Sequence, residues 1–307
     1  EKRMKFSLPY IDQDLSFWNN LEHHFQEHID EIYFPIGARV CSSGRPRQPQ
    51  SHLYTFLLRS QLPKTVLINP IILSKPIEEI QEGIFTELRR LHQNYGVTKV
   101  TVSDLRLARF IKANLKEYTV CASILMGISE TEQIDYIKNA VDSIVPDTSV
   151  VRNLRKLRAL RSSFSGPIKL IVNEGCLPGC PWRIQHFYEM GVNLPLPASL
   201  CQDHLNQNPW LRLKSAWILP QHLHFYDGIF DAIKIAGRVT LQNPEKYMRV
   251  FKAYFNRSPL AANEIGSGPA GIITNIPITE EFFYQTITCA KDCTECTICQ
   301  DYYEAHK

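Results

Sequence analysis

The residues best suited to chemistry in this sequence are its nine cysteines, which fall into two groups. Cys176 and Cys180 stand in a loop with Gly and Pro, directly after an apolar run, while Cys41 and Cys201 are more isolated; Cys121 lies inside an apolar run typical of a buried strand. The second group comprises Cys289, Cys293, Cys296 and Cys299. An odd number of closely spaced cysteines, in a sequence where we recognise no export signal, favours metal or cluster ligation over a disulfide framework.

These cysteines need a scaffold, and the sequence alternates short apolar runs with helical patterns. The predicted strands are residues 5–9, 31–36, 65–69, 99–103, 118–123, 148–152, 168–173 and 232–237. Apolar residues at three- and four-residue spacing predict helices between them. Eight such units in 307 residues predict an α/β fold, a (β/α)₈ TIM-like barrel. We expect the barrel to occupy residues 1–260 and a C-terminal extension with the four-cysteine motif to occupy residues 261–307.

A long insertion is expected between strands seven and eight. It runs from Glu174 to Asp231, far beyond an ordinary connection. Cys176, Cys180 and Cys201 lie in it, and Cys41 follows strand two, so all four are expected at the C-terminal face of the barrel, where barrel enzymes build their sites. Four thiolates there suit a [4Fe–4S] cluster or a zinc ion. Because the four ligands are scattered along the chain, we favour the cluster over zinc. If only three cysteines bind the cluster, the iron without a cysteine ligand could act as a Lewis acid.

The cysteines of the C-terminal extension could hold a second metal centre. Cys289, Cys293, Cys296 and Cys299 have intervals of three, two and two residues, which would let one short loop wrap a second [4Fe–4S] cluster. Zinc is the next interpretation, and a redox-active or disordered tail is the third.

Polar residues at predicted strand ends are candidates for catalysis. Arg238 ends strand eight and could clamp a carboxylate or phosphate, or else form a salt bridge that closes the barrel. Asn173 and Glu174 end strand seven, where Glu174 could act as an acid or base or simply hydrogen-bond the loop. Arg152 and Asn153 end the predicted strand six and could face substrate, or could serve only to cap a helix.

Composition excludes several classes of protein. Lys and Arg total 34 against 31 for Asp and Glu, a balance that by itself does not indicate nucleic-acid binding. No apolar run approaches the roughly 18 residues of a membrane span, and we expect a cytoplasmic protein. The zinc-helix, nucleophile-elbow and P-loop motifs are missing, which argues against the usual hydrolase and nucleotide-hydrolysis mechanisms.

Four segments resemble the collagenase-like peptidase family thirty-two, peptidase family U32. They are residues 30–46, 102–114, 149–160 and 231–255. The most specific positions are those of a K-I-x-G-R signature and a following tyrosine, namely Lys234, Gly237, Arg238 and Tyr247. The segment YFPIGARVCS also resembles the iron–sulfur subunits of anaerobic ubiquinone hydroxylation, where a cysteine at the place of Cys41 binds a [4Fe–4S] cluster. The spacing of the cysteines after strand seven departs from that subunit, so the resemblance reaches Cys41 rather than the whole quartet.

The resemblance implies an oxygen-independent iron–sulfur protein, since members of the family act in hydroxylation of quinone precursors or of RNA bases. With the residues above, it predicts an enzyme that modifies an aromatic or unsaturated small molecule, with hydroxylation as the expected reaction. Two alternatives stay open: an electron-delivery subunit with a heteromeric protein partner, and an RNA base-modifying enzyme. Peptidase activity ranks last.

Overall fold

The computed structural model describes residues 4–37, 41, 45, 49–73, 75–192, 200–266 and 275–307, and eight parallel strands form its centre. The strands are β1 Lys5–Pro9, β2 Ile29–Pro35, β3 Lys64–Ile68, β4 Lys99–Val102, β5 Thr119–Ala122, β6 Ser143–Ile144, β7 Lys169–Ile171 and β8 Ala232–Lys234. Helices connect them, so the predicted TIM-like barrel is confirmed. Parts of the segment 30–46 that carries the family resemblance lie outside the described residues.

The strand order, β6-β5-β4-β3-β2-β1-β8-β7, runs around an almost closed circle. A single parallel bridge between Ile144 and Ile168 joins the two ends of this order. Elsewhere in the circle, Ser7 of β1 is in register with Glu31 of β2 and with Lys234 of β8. Residues in register on neighbouring strands point to the same side, so these three form one layer inside the barrel.

Thirteen α-helices lie in the described residues. They are α1 Leu15–Phe25, α2 Leu53–Arg59, α3 Ile77–Tyr95, α4 Leu105–Asn114, α5 Glu132–Ile137, α6 Thr148–Val151, α7 Leu154–Ser163, α8 Arg183–Gly191, α9 Leu200–Gln207, α10 Pro244–Asn256, α11 Ala262–Ile265, α12 Glu280–Thr288 and α13 Ile298–His306. Local chemistry sets several of their ends. The Asp104 carboxylate accepts hydrogen bonds from the first backbone N–H groups of α4, and Gly96 ends α3 in the left-handed conformation at φ 63°.

The predicted sixth strand, residues 148–152, is wrong. Its β-branched residues form the short helix α6, because the Asp147 side chain accepts a hydrogen bond from the backbone N–H of Ser149 at 2.8 Å and caps the helix. The actual β6 is the two-residue strand Ser143–Ile144. Arg152 and Asn153 therefore do not end a strand, and Asn153 instead caps α7 through Lys156 N–H at 3.1 Å.

The connection from β7 to β8 contains α8, α9 and the 3₁₀ helices Pro209–Lys214 and Pro220–Tyr226. An isolated bridge between Asn173 and Trp217 holds this connection to the end of β7. Beyond α10, helix α13 packs against the 3₁₀ helix Pro209–Lys214. In the part of the chain that the structure describes, no helix has the length and apolar character to cross a membrane.

Candidate functional site

The barrel interior holds a buried charge network that sequence analysis missed. Glu31 is fully buried, and its carboxylate accepts hydrogen bonds from Lys169 Nζ and Thr65 Oγ1 at 2.6 Å each and from Ser7 Oγ at 2.5 Å. Lys234 Nζ lies 3.4 Å from the same carboxylate and 3.0 Å from Ser7 Oγ. We call these five residues the interior charge network. Burial alone would raise the pKa of Glu31, but the charges of the two lysines hold that pKa well below its usual range.

A sequence signal for this network existed. Charged residues inside otherwise apolar barrel strands are unusual, and Glu31, Lys169 and Lys234 each stand in such a strand. Their pairing could not be inferred, because Glu31 is separated from Lys169 by 138 positions and from Lys234 by 203.

Lys234 connects the interior charge network to the barrel mouth, which is the rim formed by the C-terminal ends of the strands. Its Nζ lies 3.6 Å from the centroid of the Tyr33 ring, a cation–π contact. The Tyr33 hydroxyl donates to the backbone carbonyl of Ile235 at 2.7 Å, which fixes the ring. Tyr33 is also close enough to Arg238 for their charges to interact.

Arg238 lies at the barrel mouth, 7% exposed. Burial lowers the pKa of its guanidinium to about 10, and the ionisable groups that act on it are Tyr33 and Arg45. No carboxylate among the described residues is close enough to neutralise it. A buried guanidinium in these surroundings is suited to the carboxylate or phosphate of a ligand.

The neighbouring signature residues position Arg238. Gly237 has φ 149°, and a Cβ there would lie 2.5 Å from Leu241 Cγ, so only glycine fits between β8 and Arg238. Tyr247 of α10 donates its hydroxyl proton to the Pro9 carbonyl at 3.0 Å, which ties the helix to the end of β1.

Asn173 is fully buried and its amide is engaged by the backbone. Its Nδ2 donates to the carbonyls of Ala236 at 2.7 Å and Ile265 at 3.2 Å, and its Oδ1 accepts from the Ala236 N–H at 2.7 Å. These contacts join the ends of β7 and β8, so Asn173 positions the segment that leads to Arg238.

Glu174 faces the mouth and organises the first cysteine of the β7–β8 connection. One carboxylate oxygen accepts from the Cys176 N–H at 3.3 Å, and the other lies 3.6 Å from Arg45 Nη2. Arg45 in turn lies over the Phe187 ring of α8, 4.2 Å from its centroid. Burial and the Glu174 charge raise the pKa of the Cys176 thiol well above its usual value.

Three predicted ligands, Cys176, Cys180 and Cys201, lie in the connection from β7 to β8. Cys180 and Cys201 act on each other's pKa as hydrogen-bonding partners. The hydrogen bond from Cys201 lowers the pKa of Cys180 to about 6, helped by the Trp182 N–H and Arg183, and raises that of Cys201. In the described part of the chain, no three Cys, His, Asp or Glu side chains are already arranged to hold a metal ion.

The remaining cysteines belong to other parts of the chain. Cys41, just past β2, is 9% exposed and belongs to the main hydrophobic core, whereas Cys121 is buried in β5. The four cysteines of residues 289–299, which we call the C-terminal cysteine loop, lie between α12 and α13 and at the start of α13. Of these, Cys293 and Cys296 are exposed.

Comparisons with known proteins find a sequence relative and a solved structure of similar fold. No family model matches the sequence. A curated relative, the uncharacterized protease MJ1657 of Methanocaldococcus jannaschii, is 29% identical over 242 residues, which cover 72% of this chain and 68% of the relative. The solved structure of the U32 peptidase Mk0906 matches with a TM-score of 0.55 at 15% identity, over 77% of this chain and 94% of that one. The sequence match relates the chain to that uncharacterized protease, and the structural match shows a shared fold.

Proposed function

We propose that this protein is an enzyme that holds a [4Fe–4S] cluster at the barrel mouth and modifies an aromatic or unsaturated, anionic small molecule without using O₂. Hydroxylation is the reaction we expect. The observation that carries the proposal is that Cys176, Cys180 and Cys201 lie in the connection that leaves the C-terminal end of β7, next to the end of β8 where Arg238 is buried. The sequence match to an uncharacterized protease supports an enzyme, and the cluster chemistry is our own inference.

The thiols of Cys176, Cys180 and Cys201 are chemically suited to bind an iron–sulfur cluster. Iron–sulfur clusters take thiolates, and Cys180 already has the lowered pKa of a thiol that ionises easily. Cys41 is the candidate fourth ligand, from the resemblance of its segment. Such a cluster supplies one-electron transfer or, at an iron without a cysteine ligand, a Lewis acid.

The residues of the chain bind and orient the substrate in this proposal. Arg238 binds its anionic group, because no carboxylate of the described residues neutralises that guanidinium. Tyr33 and Lys234 lie beneath Arg238 and limit how far the substrate enters. Glu174, positioned by Arg45, is the candidate acid or base.

Anaerobic reconstitution tests the barrel cluster. Wild-type protein is treated with ferrous iron and sulfide, as are a Cys180→Ser/Cys201→Ser variant and a Cys121→Ser control, since Cys121 is buried away from the mouth. We expect the double variant to hold about four fewer irons per chain than the other two and to lose a reduced-cluster resonance in electron paramagnetic resonance spectra. Equal iron content in all three proteins, or a colourless wild-type protein that takes up only zinc, would refute the proposal.

A second candidate is thiol peptidase activity. The names of the relative and of the solved structure favour it, and a thiol with a pKa of about 6 is the kind that acts as a nucleophile. Cleavage of a peptide library by the metal-free protein, abolished by Cys180→Ala and retained by Cys121→Ala, would support this candidate over the cluster enzyme.

A further inference from the structure

We propose that Cys289, Cys293, Cys296 and Cys299 form a tetrathiolate metal centre whose negative charge is neutralised by Arg152. This inference goes beyond the proposed function and does not depend on the barrel cluster.

The first observation is the burial of Arg152. Arg152 directly follows α6 and is 3% exposed. Its guanidinium carbon lies 4.3 Å from the ring centroid of Trp217 and 4.9 Å from that of Phe283. Aromatic faces favour a cation, but they do not cancel its charge.

The hydrogen bonds of Arg152 go to neutral groups. Nη1 donates to the carbonyls of Leu213 and Ser215, Nη2 donates to Thr286 Oγ1, and Nε is buried without a partner. Within the described ranges, no carboxylate acts on the guanidinium. An uncompensated buried charge is strongly destabilising, so an anion is expected beside it.

Tyr226 also acts on Arg152, but burial raises the pKa of this phenol, so the nearby thiols are the groups left to supply the anion. Cys289 and Arg152 both contact Thr286: Cys289 Sγ donates to its carbonyl at 3.5 Å, and Arg152 Nη2 donates to its Oγ1. Cys289 and Cys299 both act on the pKa of Arg152. The exposed carboxylates of Asp292 and Glu295 belong to the same loop but do not act on Arg152. Neutral thiols would leave the guanidinium uncompensated, whereas thiolates bound to a metal would neutralise it.

Two further cations face the same loop. Lys291 donates to the Thr286 carbonyl, and Lys214, on the 3₁₀ helix against which α13 packs, acts on the charge of Cys299. Three cations around four cysteines form a positive environment suited to a centre with net negative charge, as zinc or an iron–sulfur cluster with four thiolates has.

The four sulfur atoms do not yet surround a single point, because in the described part of the chain no three potential metal ligands are arranged to hold an ion. Cys293 and Cys296 are exposed on a short loop and can move without disturbing the core. Closure of the loop on the metal is therefore expected to accompany binding.

Metal binding by a variant that lacks the thiols of Cys180 and Cys201 tests the proposed tetrathiolate centre. The Cys180→Ser/Cys201→Ser variant is loaded anaerobically with Zn²⁺ alone in one arm and with ferrous iron and sulfide in the other, with and without Cys293→Ser/Cys296→Ser added. We expect one metal centre per chain in the variant that keeps Cys293 and Cys296, and none in the variant that lacks them. The arm in which the protein takes up metal identifies the metal. No metal in either arm, from protein whose circular dichroism is native, would overturn the inference without bearing on the barrel cluster.

The counter-charge role is tested in the same background. Arg152→Met is compared with Arg152→Lys, which keeps the charge, and with Thr286→Val, which removes a hydrogen bond to Arg152 but leaves the charge. In chelator competition we expect Arg152→Met to lower metal affinity about 10-fold to 100-fold, the usual range for groups that support metal ligands, and the other two variants to change it far less. Equal losses in Arg152→Met and Thr286→Val would overturn the role of charge.

Discussion

Glu31 is an acidic side chain with no access to water. The groups that contact its carboxylate explain how it can be buried in a barrel core. Lys169, Ser7 and Thr65 satisfy the carboxylate with hydrogen bonds, and Lys234 adds a second positive charge. Such a network is sensitive to the loss of one member, because the groups that remain cannot recover their hydration.

Lys169→Met is expected to destabilise the protein by about 3–5 kcal/mol, because it leaves a buried carboxylate short of a partner. The matched control is Lys138→Met, which removes the exposed pair of Lys138 Nζ with Asp135 at 2.7 Å and should cost under about 1 kcal/mol. Urea unfolding of both variants measures the difference. Similar losses in the two would contradict a special cost of breaking the interior charge network.

His222 gives the fold a dependence on pH. The ring is 2% exposed and stacks on Phe283 with centroids 4.4 Å apart, and burial lowers its pKa to about 4, with further contributions from His224 and Arg152. Between about pH 6.5 and pH 4 the unfolded chain takes up a proton at this residue that the folded chain does not, so stability falls as the pH falls.

His222→Gln should reduce that dependence, since glutamine does not titrate. Urea midpoints at pH 7 and pH 5 measure it: the wild-type protein should lose more stability over this interval than the variant. Parallel losses would mean that other groups cause the acid sensitivity. His23→Gln is the control, because His23 is exposed on α1 and is not among the groups that act on His222.

Among the secondary-structure elements, β8 and α10 depend on the conformation of one glycine. Gly237→Ala should be destabilising, because φ 149° disfavours any side chain and the added methyl group would overlap Leu241. Gly83→Ala is the matched control: Gly83 is inside α3 with nothing within 4 Å of a new Cβ, so it should stabilise the protein by about 0.5–1 kcal/mol. Opposite shifts in thermal midpoint are expected, and a neutral Gly237→Ala would show that the turn can adapt.

The sequence predicted seven of the eight strands within a few residues of their bounds, because parallel barrel strands are buried on both faces and appear as apolar runs. The sixth failed because β6 has only two residues, too few for a pattern, while the next β-branched run was taken for the strand. The Asp147 cap would have identified that run as a helix start.

The site was predictable in part. The position of Cys176, Cys180 and Cys201 in one connection follows from the sequence, and so does that of Arg238 just past its strand. The role of Asn173 was not predictable, because its partners Ala236 and Ile265 are distant in sequence. The same holds for Arg152, whose aromatic and tail contacts depend on the packing of α12.

At the scale of the whole molecule, the barrel is weakly closed between β6 and β7, a junction that we call the seam. Most neighbouring strands share three or four registered residue pairs, but β6 and β7 are joined by only the Ile144–Ile168 bridge and the hydrogen bond from Ile144 N–H to the Pro167 carbonyl at 3.0 Å. Fewer backbone hydrogen bonds imply a lower cost of local opening.

Hydrogen–deuterium exchange should therefore find the amide of Ile144 exchanging at least about ten times faster than those of Val66 and Val100 in β3 and β4. The reference amides are also buried in barrel strands, so the comparison isolates the seam from solvent exposure. Equal protection around the circle would contradict a preferred site of opening.

The interior charge network also fills the barrel below the mouth. Because Glu31, Lys169 and Lys234 occupy the space beneath Tyr33, a molecule that enters between the strand ends meets buried charged side chains rather than a continuous channel. A ligand that binds at the barrel mouth would therefore enter and leave from that side alone.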